Sequence, residues 1–177
     1  MDTRRQHGFS LFELIVVVVI ISLLAVVFAR RLAVYQEFAE KAAMDATLSI
    51  IKTALQIRLA NLIIDNRQAD AAELERTNPM EWLAEKPSNY VGLYQEPAER
   101  GSWYYDQRLL QLVYVPRSAD YLRMGERDGD REIRFRTRLI FDRVQVAGMH
   151  VNSVTGVALI PVQPYRWTPT ITHKLWS

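Results

Sequence analysis

Apolar residues fill the first part of the chain, where Glu13 is the only charged residue between Phe9 and Ala29. As a helix, a run of about 21 residues rises far enough to cross the ~30 Å hydrocarbon core of a bilayer. A carboxylate inside such a segment costs about 2.5–3.5 kcal/mol to insert. The pattern therefore predicts a membrane helix in which Glu13 has a partner and a role.

We interpret this helix as a retained anchor and not as a removed secretory signal. Secretory signals have a shorter apolar core of about 7–15 residues, followed by small residues at a cut site. Here the run is longer and leads into Arg30 and Arg31. Arg4 and Arg5 stand before it, so the positive charge is nearly balanced across the span. Because the leader is too short to be a domain, we expect the C-terminal part on the exported side.

Beyond the apolar run, hydrophobic residues recur at three- and four-residue spacing, which is typical of one buried helix face. The positions are Met44, Leu48, Ile51, Leu55, Leu59 and Leu62. They predict a single long helix from Phe9 to Asp65, whose second half lies under a globular domain. Glu37 and Lys41, one turn apart, are expected to form an ion pair on it.

Further along, the pattern changes from helix to strand. Residues 69–76 are helix-prone, and Asn78 followed by Pro79 predicts the start of a short helix to about Glu85. Residues 87–101 are expected to form a loop. Residues 103–105 and 109–115 predict a β-hairpin.

The last third of the chain combines one irregular stretch with two strands. Residues 116–129 are polar and irregular, whereas residues 132–146 alternate. The expected inward face of that strand carries Ile133, Phe135, Leu139 and Phe141. Residues 157–162 predict a further strand, and the nearby prolines indicate that it is an edge strand or a short one.

These elements predict an α+β fold: a long N-terminal helix, transmembrane in its first half, that packs by its second half on a small antiparallel β-sheet. The expected divisions are a leader at residues 1–8, a transmembrane helix at 9–29, its continuation at 30–66, and a globular α+β domain at 67–177.

Composition excludes several kinds of chemistry. The 177 residues include no cysteine, which removes disulfides, thiol nucleophiles and Cys-ligated zinc, and the net charge is only +2. Three scattered histidines, His7, His150 and His173, show no metal-binding spacing. No nucleophile elbow, phosphate loop or catalytic acid pair is present, so we expect no enzyme.

Four arginines form a basic stripe on the strand at residues 132–146 or just before it: Arg131, Arg134, Arg136 and Arg138. Aromatic residues do not interleave with them on that face. A solvated face or a subunit contact is therefore favoured over nucleic-acid binding.

The segment Gly8-Phe9-Ser10-Leu11-Phe12-Glu13-Leu14, followed by the apolar run, resembles the processing site of the type IV pilin-like family. That family includes type IV pilus subunits and the pseudopilins of type II secretion. The resemblance implies that a prepilin peptidase cuts between Gly8 and Phe9, and that the new N-terminus at Phe9 is methylated. Glu13 matches the glutamate that the family places five residues after the cut.

The same resemblance implies a filament subunit in the inner membrane with its C-terminal domain in the periplasm. Its partners would be other pilin-like subunits, the prepilin peptidase, and a membrane assembly platform with its ATPase. The span lacks a proline and the chain lacks a C-terminal cysteine pair, which favours a pseudopilin or a minor pilin. Phe12 departs from the pattern, because the family usually has a smaller aliphatic residue there.

Glu13 has two interpretations. Cleavage would create an ammonium at Phe9, and a neighbouring subunit shifted along an assembly axis could bring its ammonium to Glu13 and so fix the register. Alternatively, Glu13 extends to the headgroups near the helix end. The alternative function is a single-pass, membrane-anchored periplasmic binding or enzymatic domain, which needs neither cleavage nor Glu13.

Asp128 and Asp130 are weak candidates for a calcium site, because some pseudopilins bind calcium in a C-terminal loop. Their spacing does not fit an EF-hand, and Asp-Gly is common in hairpin turns. We favour a plain turn and expect no cofactor.

Overall fold

The computed structural model describes residues 10–125, 132–146 and 149–168. The chain divides into two compact units, Met1–Gln36 and Glu37–Ser177, and the first helix contributes to both. This helix, α1, runs over Leu11–Ile64 without interruption, as predicted. It contains neither proline nor glycine, the two residues that most strongly disfavour a helix interior.

The end of α1 is set by a left-handed residue. Asn66 has φ 57°, and asparagine tolerates this conformation better than most residues. The backbone N–H of Arg67 donates to the carbonyl of Leu62 at 2.8 Å, and the N–H of Asn66 donates to that of Ile63 at 3.1 Å. Carbonyls of the last turn are therefore satisfied at the point where the chain reverses.

Three short helical segments follow α1. They are a 3₁₀ turn at Gln68–Ala72, the helix α2 at Glu73–Arg76 and a second 3₁₀ turn at Pro79–Trp82. The side chain of Asn78 caps the last of these by accepting from the N–H of Met80 at 3.1 Å. The predicted cap is thus confirmed, but the segment ends at Trp82 and not at Glu85.

Within the described residues, seven strands form two sheets. They are β1 (Tyr90–Leu93), β2 (Ser102–Asp106), β3 (Gln111–Val115), β4 (Leu122–Met124), β5 (Ile133–Val146), β6 (Met149–Pro161) and β7 (Tyr165–Trp167). The larger sheet has the order β1-β2-β3-β5-β6, and β4 pairs with β7. Among the strand pairs in the described part of the chain, β1–β2 alone is parallel, so the larger sheet is mixed and mainly antiparallel. The predicted α+β fold class, pilin-like in layout, is confirmed.

Two predicted loops contain strands. The expected loop at residues 87–101 includes β1, and the expected irregular stretch at 116–129 includes β4. Both strands are too short for a periodic signal, and β1 is interrupted by Gly92 at φ 123°. β1 and β4 form because they pair with β2 and β7, and their own sequences do not predict them.

The core of the second unit lies between α1 and the larger sheet. All six predicted stripe positions, from Met44 to Leu62, are buried. They share one cluster with Trp103, Phe135 and Trp167. The predicted stripe is therefore confirmed, with each side chain contributing about 1.5–3 kcal/mol through burial.

The strand β5 extends beyond this core. Ile133 and Phe135 are buried as predicted, but Phe141 is 59% exposed. The pairing with β6 shifts register between Ile140 and Phe141, because β6 inserts one extra residue there. β6 lies at the edge of the sheet, as its prolines predicted.

Candidate functional site

Ser10 initiates α1 at the start of the apolar segment. The N–H of Glu13 donates to Ser10 Oγ at 3.2 Å, and the N–H of Leu14 donates to the Ser10 carbonyl at 3.1 Å. The spacing Ser-x-x-Glu is that of a capping box. Glu13 thus lies in the first turn, where a negative charge is stabilised by the free N–H groups and the helix dipole.

The apolar segment exposes its side chains around the helix. From Leu11 to Phe28 every large hydrophobic side chain is between 39% and 78% exposed. A surface of this kind on a folded chain indicates contact with lipid or with another protein. Among the described residues, α1 is the one helix apolar and long enough to cross a membrane.

Two polar side chains in this segment differ in their partners. The hydroxyl of Ser22 donates to the carbonyl of Val18 at 2.7 Å, so it is satisfied within the helix. The carboxylate of Glu13 has no hydrogen-bond or ionic partner among residues 10–125, 132–146 and 149–168. Gly8 and Phe9, the predicted processing residues, lie outside the described residues.

The comparison with protein families found one match in this part of the chain. Residues 3–29 match the model of the prokaryotic N-terminal methylation motif. The chain carries a type IV prepilin-like signal. Neither curated proteins nor solved structures gave a match.

This signal bears on the role of the N-terminal segment. It indicates a pilin-like substrate of prepilin peptidase, and its combination with an exposed apolar helix fits a membrane-anchored protein. The motif is that of a structural, pilin-like family, and the absence of an enzymatic activity stays a prediction. The match ends at residue 29, so it does not distinguish a pseudopilin from a minor pilin.

Asp128 and Asp130 lie outside the described residues, as do His7 and His173. Within the described ranges, no group of three or more metal-ligating side chains occurs.

The predicted basic stripe is in part an internal ion-pair network. Arg134 pairs with Asp106 at 3.0 Å and with Glu132 at 2.8 Å, and its guanidinium lies 5.0 Å from the centre of the Tyr94 ring. Burial alone would raise the pKa of Asp106, but hydrogen bonds from the Leu109 N–H and the Arg134 guanidinium lower it overall. Arg134 is thus not part of a free basic face, whereas Arg138 is exposed.

Sequence reasoning missed a buried acid on α1. Glu37 is 2% exposed and accepts hydrogen bonds from Trp167 Nε1 at 2.7 Å, the Tyr121 N–H at 3.1 Å and Ser118 Oγ at 3.1 Å. The expected ion pair of Glu37 with Lys41 is wrong, because Lys41 pairs with Asp45. Glu37 is turned toward the domain, where three donors converge on it.

Glu40, one turn further along α1, accepts hydrogen bonds from the loop at residues 116–121, which also donates to Glu37. Its carboxylate accepts from the Tyr114 hydroxyl at 2.9 Å, the Arg117 N–H at 2.6 Å and the Ser118 N–H at 3.4 Å. Burial, followed by the bond to Glu40, raises the pKa of Tyr114. A signal for both acids was present, because positions 37 and 40 continue the three- and four-residue spacing of the apolar stripe that begins at Met44.

Proposed function

We propose that this protein is a subunit of a pilin-like filament, either a type II secretion pseudopilus or a type IV pilus. Prepilin peptidase removes residues 1–8 by cutting between Gly8 and Phe9, and Phe9 is then methylated. The chain is a single-pass inner-membrane protein with a periplasmic C-terminal domain until it enters the filament. Residues 9–29 then form the filament core, residues 30–66 continue the helix, and residues 67–177 lie outside as the globular domain.

The observation that carries this proposal is the state of Glu13. The N-terminal signal places one acid in an apolar helix, and that acid has no side-chain partner in the described chain. An ammonium on a neighbouring copy would supply one, since pairing makes two costly groups in an apolar medium tolerable. A copy displaced by one residue would leave both charges unmatched, so the pair fixes the register of assembly.

The assembly partners follow from the same signal. They are other pilin-like subunits, the prepilin peptidase, and an inner-membrane platform driven by an ATPase. The span has no proline and the chain has no cysteine. These two departures from major pilus subunits favour a pseudopilin or a minor pilin.

Mass spectrometry of the mature N-terminus tests the proposal directly. The expected chain begins with N-methylated Phe9. In the variant Gly8→Trp, whose bulk blocks the cut, the full precursor should accumulate in the membrane. The matched control Gln6→Ala changes the leader two residues before the cut and should be processed normally.

Other N-termini would contradict the filament assignment. A wild-type chain that keeps Met1 would favour the alternative of a membrane-anchored periplasmic binding or enzymatic domain. A chain that starts near Leu32 would indicate a removed secretory signal.

A further inference from the structure

A groove runs along the second half of α1, on a side of the helix that the core does not use. It has a volume of about 480 Å³ and lies between α1 and the short segment at Trp82–Ala84. Ile50 and Ile57 line it and are 60% and 57% exposed. Two large aliphatic side chains are therefore presented to whatever occupies the groove.

Two hydrogen-bond donors in this groove lack an acceptor. Arg58 and Trp82 both line it, with the guanidinium of Arg58 4.7 Å from the centre of the Trp82 ring. The Nε atom of Arg58 and the Nε1 atom of Trp82 are buried, and neither has a hydrogen-bond partner in the described part of the chain. A buried donor left unpaired costs about 1–3 kcal/mol, and more when it belongs to a charged group.

The lining offers charge of one sign only. Arg58 is the sole charged residue among those that line the groove, and no carboxylate accompanies it. An occupant that complements this surface must bring an acceptor, and a carboxylate is the acceptor that also neutralises a guanidinium.

The spacing of the aliphatic residues indicates the shape of the occupant. Ile50 and Ile57 are seven residues apart, and Ile64, 75% exposed, continues the row by another seven. A seven-residue repeat drifts by only about 20° per two turns, so the row stays on one side of α1. Such a row is the kind of seam against which a second helix packs.

This chain does not itself offer a helix of that chemistry beyond its apolar segment. Within the described ranges, α1 is the only helix longer than five residues. Of the acids on α1, Glu37 and Glu40 are bonded within the domain, and Asp45 is paired with Lys41. Glu13, in the apolar segment, is the acid that the proposed function pairs with the Phe9 ammonium of a neighbouring copy. Two copies joined groove to groove would bring their Arg58 cations together. Arg58 Nε and Trp82 Nε1 of each copy would then remain without an acceptor.

We propose that this groove, defined by Ile50, Ile57, Arg58 and Trp82, docks an aliphatic helix of a different protein chain, and that a carboxylate on that helix accepts from Arg58 and Trp82. That the partner is a different chain and not a second copy rests on the proposed function, which gives Glu13 another partner.

Site-specific photo-crosslinking in the native host tests this proposal. A benzoylphenylalanine replaces Ile57 in the full-length chain, and a matched control carries it at Leu109, which is 41% exposed in the turn between β2 and β3. Sequencing of the crosslinked peptide by mass spectrometry should identify one peptide of another chain, with aliphatic residues at helical spacing and an Asp or Glu within one turn of the attachment.

Two variants then examine the donors. Arg58→Met keeps an unbranched side chain beside Trp82 and removes the charge, and Trp82→Phe keeps an aromatic ring and removes the N–H. Each should reduce the adduct at position 57 by about tenfold, the effect of losing one charge-assisted hydrogen bond. Far-UV circular dichroism identifies any variant that fails to fold, in which case the other variant gives the readout.

A charge exchange completes the experiment. Arg58→Glu should abolish the adduct, and replacement of the identified acid by Arg on the partner should restore it. An adduct to a peptide without a carboxylate, to a second copy of this chain or to lipid would overturn the proposal. So would equal labelling from position 109, or an unchanged yield in folded Arg58→Met.

Discussion

Glu13 and Glu37 lie on the same helix, but their surroundings are opposite. Glu13 stands among exposed apolar side chains and its carboxylate has no partner in the described chain, whereas Glu37 is buried and accepts three hydrogen bonds. Burial of a charged group is tolerated only where donors compensate its lost hydration. Glu37 finds them within its own domain, so it stabilises the fold. Glu13 finds none among the described residues, and we propose that its partner is the amine of a neighbouring copy.

The largest expected effect concerns assembly through Glu13. Glu13→Ala should leave cleavage and the stability of the domain unchanged but reduce incorporation into filaments by more than about tenfold. The reason is that loss of one member of a desolvated charge pair costs at least about 2 kcal/mol per contact. Quantification of sheared filaments by immunoblot measures it.

Ser22→Ala is the matched control for this variant. It removes a polar group from the same apolar segment, but one that is satisfied by the Val18 carbonyl, so assembly should be unchanged. Normal filament yield in Glu13→Ala would remove the distinction between the two acids.

The largest expected effect on stability concerns Glu37. Glu37→Ala should lower the free energy of unfolding by about 3 kcal/mol, because it leaves the Trp167 indole and the Tyr121 N–H as buried donors without an acceptor. Thermal unfolding followed by near-UV circular dichroism checks this. A loss below about 0.5 kcal/mol, typical of surface substitutions, would show that water replaces the carboxylate at no cost.

A smaller loss is expected at Tyr114, which donates to Glu40. Tyr114→Phe should cost about 1 kcal/mol at neutral pH, the net value of one hydrogen bond. Because the folded pKa of Tyr114 is raised above its ordinary value of 10.0, the unfolded chain loses this proton first as pH rises. Stability should therefore fall above about pH 10, and less steeply in Tyr114→Phe than in the wild type. Urea unfolding at pH 9 and pH 11 measures the free energy of unfolding of both proteins. An equal loss between the two pH values in the wild type and in Tyr114→Phe would contradict this assignment.

Asp106 extends the comparison to the acidic range. Its folded pKa lies below the ordinary value of 3.8, so the group contributes stability above that value and loses the contribution as pH falls through the folded pKa. Stability measured from pH 6 downward should fall below about pH 4, and Asp106→Asn should flatten that part of the profile. A profile unchanged by the substitution would mean that other carboxylates determine the acid limit.

The smallest effect is expected at Asp45, the exposed acid on α1. Its pair with Lys41 joins two side chains that are 46% and 32% exposed. Asp45→Asn should therefore cost only about 0.3–0.5 kcal/mol, and less at high salt. Comparison of the loss of unfolding free energy in Asp45→Asn with that in Glu37→Ala separates the effect of burial from that of charge. A comparable loss in the two variants would refute the role given to burial.

The elements with an extended hydrophobic pattern were predictable from sequence. The helix from Leu11 to Ile64, its buried stripe and the strand β5 repeat a hydrophobic period over many residues. The β2–β3 hairpin is recognisable from its aromatic and β-branched residues. The strands β1 and β4 were not predictable, since three or four residues carry no period. The prediction that Glu37 pairs with Lys41 was also wrong, because the rule for neighbouring helix charges assumes a solvent-exposed face.

The sequence by itself determined the N-terminal signal, the apolar helix with its single acid, and the α+β class. These are properties of local order and composition, and hydrophobic periodicity reports them directly. Only the tertiary structure decided that Glu37 is buried against Trp167, 130 residues away, and that Arg58 and Trp82 share a groove. Contacts at that separation depend on how the sheet packs on the helix, and no local pattern encodes that packing.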